Sequence, residues 1–387
     1  GCGGSPAIAG PLRPPSGPPS STDKPLIEVE PRIVINDENT PGDADSKYRI
    51  TQRGSYYLIG SEDVLGVRHG IEIAADDVTI DLMGFTLIAG DRPDPGETSI
   101  TLDGITVDGA FQNIVIRNGF IRDFGQRGVN LLIAQNSRLE HLMVADCASD
   151  GILSNSRTVI KSCQVWGSGG NGFTAIGGTT YLSCTAVSNE AHGFDVGNFA
   201  IVDRCASLGN DGAGFHSSDG ARLLGCVALQ NDIGFDVGQG SLVKACVAST
   251  HSIGFRARNA GGESATIIAE CTSLGFGEAY RLENNSWLVN SISEDADGPA
   301  VRVTGRHNRI DGNHISGFGS GGTGILVEGT ENLIVRNTVN TFTNEYEIGP
   351  NNNYGPIVDL PGGAPSAIGA SAPGTQGTRD PRANISQ

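Results

Sequence analysis

Basic residues and long apolar runs are both scarce in this sequence. Lys and Arg number 26 against 43 Asp and Glu, which gives a formal net charge of −17. Nucleic-acid binding requires a basic face that replaces the counterions around phosphates, so this class of partner is excluded. No apolar run reaches the length of about 18 residues that a transmembrane helix requires, so no transmembrane segment is predicted.

Glycine, in contrast, is in excess. The chain holds 56 Gly among 387 residues, about double the usual ~7%. The glycines follow no Gly-X-Y period and 38% of the residues are apolar, so neither collagen nor simple disorder fits. The length would suggest two or three domains of about 150 residues each, unless the chain is a repeat array. A search for internal repeats therefore decides the domain organisation.

Three columns of residues repeat with one period in the middle of the chain. Successive cysteines are separated by 21, 21, 21 and 20 residues, a series of Gly-Phe pairs keeps nearly the same steps, and three asparagines each follow a cysteine by five residues. The columns are Cys163, Cys184, Cys205, Cys226 and Cys246; Phe173, Phe194, Phe215, Phe235 and Phe255; and Asn189, Asn210 and Asn231. Because three residue types share the period, residues 51–350 are predicted to form one solenoid.

A parallel β-helix explains this period best. Leucine-rich repeats have units of similar length, but they require a Leu-x-x-Leu-x-Leu frame that this sequence does not keep. Each unit holds short strand-forming runs broken by Gly and Asn, where turns need positive φ. Rungs stacked about 4.8 Å apart place like residues over like. The predicted fold is an all-β, single-stranded parallel β-helix with rungs of about 21 residues.

The outer rungs resemble a known family. Residues 54–58 (GSYYL), 69–73 (HGIEI) and 78–85 (VTIDLMGF) are similar to the opening rungs of bacterial right-handed parallel β-helix repeat proteins of the pectin-lyase-like superfamily, and residues 308–315, 324–327 and 332–337 are similar to its degenerate rung consensus. The resemblance implies a right-handed helix. It leaves function open, because this architecture hosts lyases, hydrolases, epimerases, adhesins and phage spikes. The catalytic motifs of its hydrolases and lyases find no residue-by-residue match here.

The cysteine and asparagine columns are expected to be structural. An even count of cysteines in an exported chain suggests disulfides, but stacked rungs hold neighbouring Cβ atoms about 4.8 Å apart in parallel directions, whereas a disulfide needs about 3.8 Å and converging directions. We therefore expect buried, reduced thiols. A metal array is not expected, since no CxxC pair or adjacent histidine is present. The asparagines are expected at a tight turn, where Asn tolerates positive φ and its amide can bond along the stack.

The residue after each column phenylalanine is the candidate for chemistry. Side chains alternate along a strand, so an inward Phe places the next residue outward. The predicted outward column is Thr174, Asp195, His216, Asp236 and Arg256. Carboxylates on neighbouring rungs around a histidine could perform general acid/base work on a polysaccharide lying along the rod, and a solvated face of mixed charges is the alternative. Asp195 and Asp236 would lie about 9–10 Å apart with His216 between them, a spacing that suits a shared water.

The two ends differ from the repeats. Residues 1–25 form an extended arm and residues 351–387 a tail, both too rich in Gly, Pro and Ser to build a core. Residues 26–50 lack the rung period and are predicted to cap one end. Cys2 stands outside the cysteine column. It could carry a lipid tether, form an intersubunit disulfide or do neither. The excursion of residues 91–97 could wall a groove or bind calcium, and no other cofactor is predicted.

Three functions remain open. The leading hypothesis is an exported structural protein, a subunit of an extracellular filament or surface assembly, because the open ends of a β-helix expose unpaired strands and its arms need a surface to lie on. Its partners would be other copies of the chain, joined through tails and rod ends. The first alternative is a polysaccharide-active enzyme or binder, of lyase or hydrolase type. The second is a cell-surface adhesin tethered through Cys2. All three imply an extracellular or cell-surface location in a bacterium.

Overall fold

A computed structural model of the chain describes residues 31–90, 102–275, 277–318, 321–359, 367–369 and 380–386. Within these ranges the regular elements are β-strands, and the named strands pair in parallel from one turn of the chain to the next. The predicted all-β parallel solenoid with rungs of about 21 residues is confirmed. The arm of residues 1–25, Cys2 and the excursion of residues 91–97 lie outside the described residues.

One face of the solenoid is a fifteen-stranded sheet, called here the first face. Its strands are Ser46–Ile50, His69–Ile73, Ile105–Val107, Val129–Leu131, Ile152–Ser154, Phe173–Ala175, Phe194–Val196, Ala213–Ser217, Ile233–Val237, Ile253–Ala257, Glu278–Leu282, Val301–Val303, Thr323–Val327, Asn344–Ile348 and Ala367–Gly369. This sheet carries the phenylalanine column and the candidate outward column.

The second and third faces are the two halves of a twenty-eight-stranded sheet. The second face holds Ile33–Val34, Gly54–Tyr57, Val78–Asp81, Val159–Lys161, Thr180–Leu182, Ile201–Asp203, Arg222–Leu224, Leu242–Lys244, Thr266–Ala269, Ser286–Val289, Arg309–Asp311, Leu333–Val335 and Asn353–Tyr354. The third face holds Glu62–Val64, Thr86–Ala89, Gln164–Trp166, Thr185–Val187, Ala206–Leu208, Val227–Leu229, Val247–Ser249, Thr272–Leu274, Ile292–Ala296, His314–Gly317, Thr338–Asn340, Ile357–Asp359 and Asn384–Ser386. Two longer strands, Val115–Arg122 and Arg138–Ala145, run across both faces.

The chain segments next to the predicted ends also contribute rungs. Ile33–Val34 and Ser46–Ile50, inside the segment predicted as a cap, pair in parallel with the following turn. At the other end, Asn353–Tyr354, Ala367–Gly369 and Asn384–Ser386 continue the three faces beyond residue 350. The solenoid therefore extends past both boundaries of the 51–350 range.

Aromatic rings form the centre of the core behind the first face. Phe173, Phe194, Phe215, Phe235 and Phe255 are all fully buried. Successive rings stack nearly parallel with centroids 4.7–4.9 Å apart. Offset stacking at this separation is favourable for aromatic pairs. The inward position of this column fixes the parity of the first face, so the residue after each Phe points outward.

The cysteine column lies at the corner between the second and third faces. Seven cysteines, Cys147 to Cys271, are buried with free thiols in the described part of the chain. The residue before a column cysteine adopts positive φ, as at Arg204 (52°) and Gly225 (59°), and this single residue turns the chain. Burial raises the pKa of the Cys147 thiol to about 12. These groups pack as small apolar side chains.

The asparagine column lies at the next corner, but its conformation differs from the expectation. Positive φ occurs one residue earlier, at Ser188 (51°) and Gly209 (60°), and the asparagines themselves serve as hydrogen-bond partners. Asn189 Nδ2 donates to Asn210 Oδ1 at 2.8 Å, and Asn210 Nδ2 donates to Asn231 Oδ1 at 2.8 Å. The ladder thus satisfies buried amides that have no access to water.

Candidate functional site

The outward column of the first face brings four predicted residues together on successive turns. Asp195, His216, Asp236 and Arg256 are Cα partners in the parallel register, with Thr174 one turn earlier. Asp195, His216 and Arg256 are partly exposed on the outer surface, whereas Asp236 is buried with a side-chain exposure of 10%. The structure therefore presents the column as a polar line on the surface of the rod.

Asp195 and His216 form a hydrogen-bonded dyad. His216 Nδ1 lies 2.7 Å from Asp195 Oδ1. Burial alone would raise the pKa of Asp195, but the hydrogen bond from His216 and the charge of Arg258 outweigh burial and lower that pKa below its usual range. Asp195 is consequently ionised over the physiological range and orients the imidazole, the role that a carboxylate has beside a catalytic histidine.

Arg258 is the member of the site that sequence reasoning missed. Its Nε donates to Asp236 Oδ1 at 2.7 Å, and its Nη2 lies 2.9 Å from His216 Nε2 and 2.8 Å from the carbonyl oxygen of Ser217. His216 lies between Asp195 and Asp236 in the strand register, but the direct hydrogen-bond partner of Asp236 is this guanidinium. The four groups instead form one chain, from Asp195 through His216 and Arg258 to Asp236.

Two signals in the sequence could have indicated Arg258. It follows Arg256 by two residues, and residues two apart on a strand point to the same side. In addition, Cys271 follows Cys246 by 25 residues, whereas the steps from Cys163 to Cys246 are 20 or 21, so extra residues follow Arg258 at this corner. These residues wall a cleft of about 530 Å³. Its lining is Asp219, Gly238, Gln239, Arg256, Arg258, Asn259, Ala260, Gly262 and Glu283.

Arg256 and Thr174 occupy the two ends of the column. Arg256 lies in the cleft lining with its Nε 3.7 Å from Asp236 Oδ1. Among the described residues this buried Nε has no hydrogen-bond partner, and the cleft lining presents the Arg256 side chain to a ligand there. Thr174 Oγ1 accepts a hydrogen bond from Asn171 Nδ2 at 3.1 Å, which ties it to its own turn.

A second histidine packs against the dyad. The rings of His192 and His216 stack with centroids 4.8 Å apart and 11° between their planes, and His192 Nδ1 accepts a hydrogen bond from the backbone N–H of Ala213 at 2.8 Å. Burial lowers the pKa of His192. His192 therefore stays neutral and forms one wall of the histidine site.

The lowered pKa of His192 predicts a pH-dependent stability. In the unfolded chain this imidazole binds a proton near its ordinary pKa of 6.5, whereas in the folded chain it resists protonation. Since the unfolded state binds more protons, the free energy of unfolding should fall as pH decreases below about 6.5. His192→Gln should reduce this fall between pH 7 and pH 5, as measured by urea denaturation. His314→Gln, an exposed histidine on the third face, is the control. An unchanged pH dependence in His192→Gln would contradict the assignment.

The residues that the structure describes contain no candidate metal site and no candidate membrane-spanning helix. No group of three His, Cys, Asp or Glu side chains there is placed to hold a metal ion. Within the same ranges, no helical segment has the length and hydropathy that a membrane span requires.

Comparison with known proteins decides the handedness of the solenoid. Residues 66–200 match the family model described as a right handed beta helix region. This segment is a right-handed β-helix. The predicted resemblance to right-handed parallel β-helix proteins is confirmed. No curated protein is significantly similar in sequence to the chain.

Several solved structures are similar to this β-helix at low sequence identity. The catalytic domain of a GH87 alpha-1,3-glucanase is 13% identical with a TM-score of 0.39, over 83% of this chain and 63% of that one. A pectate lyase is 15% identical with a TM-score of 0.42, over 66% of this chain and 70% of that one. A mannuronan C-5 epimerase A-module of Azotobacter vinelandii is 14% identical with a TM-score of 0.39, over 83% and 88% of the two chains. The β-helix thus spans less than two thirds of the glucanase domain.

Proposed function

We propose that this β-helix is a polysaccharide-processing protein, of lyase or hydrolase type, that acts at the outward column of its first face. The observation that carries the proposal is the hydrogen-bonded chain Asp195–His216–Arg258–Asp236 beside the cleft. Side chains from successive turns converge there, and a linear polymer lying along the rod would meet each of them in order. A function on such polymers implies a location outside the cell or at its surface.

His216 is the proton-transfer group in this proposal. General acid/base catalysis favours a group that titrates near the working pH, and imidazole is the side chain with that property. Asp195 orients the ring through Nδ1, so Nε2 is the nitrogen that would exchange a proton with the glycan. Asp236 holds Arg258 in place, and Arg256 offers a guanidinium to oxygen atoms of a bound sugar.

The polysaccharide hypothesis now takes precedence over the filament and adhesin hypotheses. The adhesin hypothesis rests on Cys2, and the filament hypothesis rests in part on the arm of residues 1–25; Cys2 and this arm lie outside the described residues. The polysaccharide hypothesis rests on side chains whose hydrogen bonds, exposure and cleft are described.

Affinity electrophoresis of the full chain through gels containing single glycans tests the proposal. We expect retardation by at least one of polygalacturonate, alginate, a neutral α-glucan or a neutral β-glucan. Arg256→Gln should weaken binding at least about tenfold, because it removes a charged hydrogen-bond donor from the cleft. Arg204→Gln is the matched control, since Arg204 is 72% exposed and pairs with Asp203 on the second face. Absence of retardation by all four glycans, or equal weakening by both variants, would contradict the proposal.

A further inference from the structure

Both ring nitrogens of His216 are already engaged, which fixes the form of the imidazole. A guanidinium has N–H donors only, so Arg258 Nη2 must donate to His216 Nε2 over their 2.9 Å separation. Nε2 therefore carries the lone pair, and the proton lies on Nδ1, facing Asp195. His216 is thus neutral in this arrangement, and the lone pair that the proposed function requires is covered by Arg258.

We propose that Arg258 is a movable cap on His216 Nε2, and that an anionic group of the glycan, bound in the cleft, withdraws it. This inference rests on the proposed function and specifies its substrate: a glycan that bears carboxylate or sulfate groups. Arg258 lines the cleft, so an anion there can reach the guanidinium that covers the histidine. An anion carries a charge opposite to that of the guanidinium and can accept two parallel hydrogen bonds from it, whereas this imidazole is a neutral acceptor of one bond.

The surroundings of Arg258 allow this movement to be small. Asp236 anchors the guanidinium through Nε at 2.7 Å, so only the Nη end has to turn away from His216. Nη2 itself donates to His216 Nε2 and to the Ser217 carbonyl oxygen, and both of these acceptors are uncharged. An anion in the cleft can therefore replace them while the bond to Asp236 remains.

The other titratable groups near His216 leave the guanidinium groups of Arg256 and Arg258 as the donors that would bind an anion. Asp195 faces Nδ1, His192 covers one ring face and Asp236 lies beneath Arg256 and Arg258. Two further carboxylates line the cleft, and each is already hydrogen-bonded. Asp219 accepts from Gln239 Nε2 at 3.0 Å, and Glu283 accepts from the backbone N–H of Asn259 at 3.0 Å.

Nitrogen NMR of the full chain with ¹⁵N-labelled histidine tests the cap at constant pH, with the His216 signals assigned from His216→Gln. In the wild type we expect a neutral ring protonated at Nδ1, and an Nε2 signal that moves when galacturonate is added but not when galactose is added. Arg258→Gln should shift Nε2 in the absence of ligand and abolish the galacturonate response. Arg258→Lys should restore part of that response, and Arg204→Gln should behave as the wild type.

Two results would overturn the inference: an Nε2 signal that Arg258→Gln leaves unchanged, or an equal response to galactose. The NMR signals do not depend on turnover. If Arg258→Gln and galacturonate both shift Nε2 but no polysaccharide is processed, the cap stands and the proposed function fails. If glycans are processed while Nε2 ignores Arg258→Gln, the proposed function stands and the cap fails. In a processing assay, Arg258→Gln should reduce the preference for acidic over neutral glycans by about tenfold, the effect of one charged hydrogen bond.

Discussion

His216→Gln should lower the turnover of the processed polysaccharide by about 10²–10⁴-fold, the contribution of a positioned general acid or base. Gln has the polarity of the imidazole but cannot exchange a proton near neutral pH. Arg256 and Arg258 remain to bind the glycan, so affinity in the electrophoresis assay should change only a few-fold. Turnover is measured from reducing ends released, and from the absorbance of unsaturated products if the bond is broken by elimination.

Two comparisons make this result specific. His314→Gln changes an exposed histidine on the third face, and it should leave both turnover and binding unchanged. Asp195→Asn should lower turnover while keeping the ring position, because Asn cannot stabilise an imidazolium as a carboxylate does. A His216→Gln protein that processes the glycan at the wild-type rate would remove His216 from the reaction.

Phe215→Ala should reduce the free energy of unfolding by about 3–5 kcal/mol, the usual cost of truncating a buried aromatic side chain. The Phe215 ring is fully buried and stacks on Phe194 and Phe235, each with centroids 4.9 Å away. Its removal leaves a cavity within a continuous column of rings. Chemical denaturation gives the total loss. Hydrogen exchange should show that the loss is concentrated in the adjacent turns, because each turn of a solenoid contacts only its neighbours.

Phe199→Ala is the matched control for this effect. Phe199 lies at a corner two turns before the Phe235 ring. Because 72% of Phe199 is exposed, its truncation should change the free energy of unfolding by no more than about 0.5 kcal/mol. Similar costs for Phe215→Ala and Phe199→Ala would contradict the buried column.

The fold could be predicted from the sequence because its main features repeat. The same step recurs in Cys, Phe and Asn columns, and that coincidence specifies stacked turns. Once Phe194 and Phe215 were placed inside, strand alternation placed Asp195 and His216 outside. The detail of the corners could not be predicted in the same way. Positive φ falls on Ser188, which is not a residue that usually indicates it, and the buried amide of Asn189 is used for hydrogen bonding.

The candidate site was only half predictable for a related reason. Asp195, His216, Asp236 and Arg256 belong to the repeat and could be aligned by it. Arg258 lies just after the strand Ile253–Ala257, where the repeat gives way to a longer corner. Its interaction with His216 spans two turns, so it depends on the length and direction of a flexible side chain, which the period does not encode.

The stacking of turns has a consequence for how such a rod can change length. Because each turn contacts only the turns on either side, whole turns can be gained or lost with little disturbance elsewhere. The turns from Asp195 to Arg258 are the exception. A turn inserted between Asp195 and His216 would move the two side chains about 4.8 Å further apart, beyond hydrogen-bond reach. The length of the first face and the side chains of the candidate site can therefore evolve separately, the first by gain or loss of whole turns and the second by substitutions within the uninterrupted block from Asp195 to Arg258.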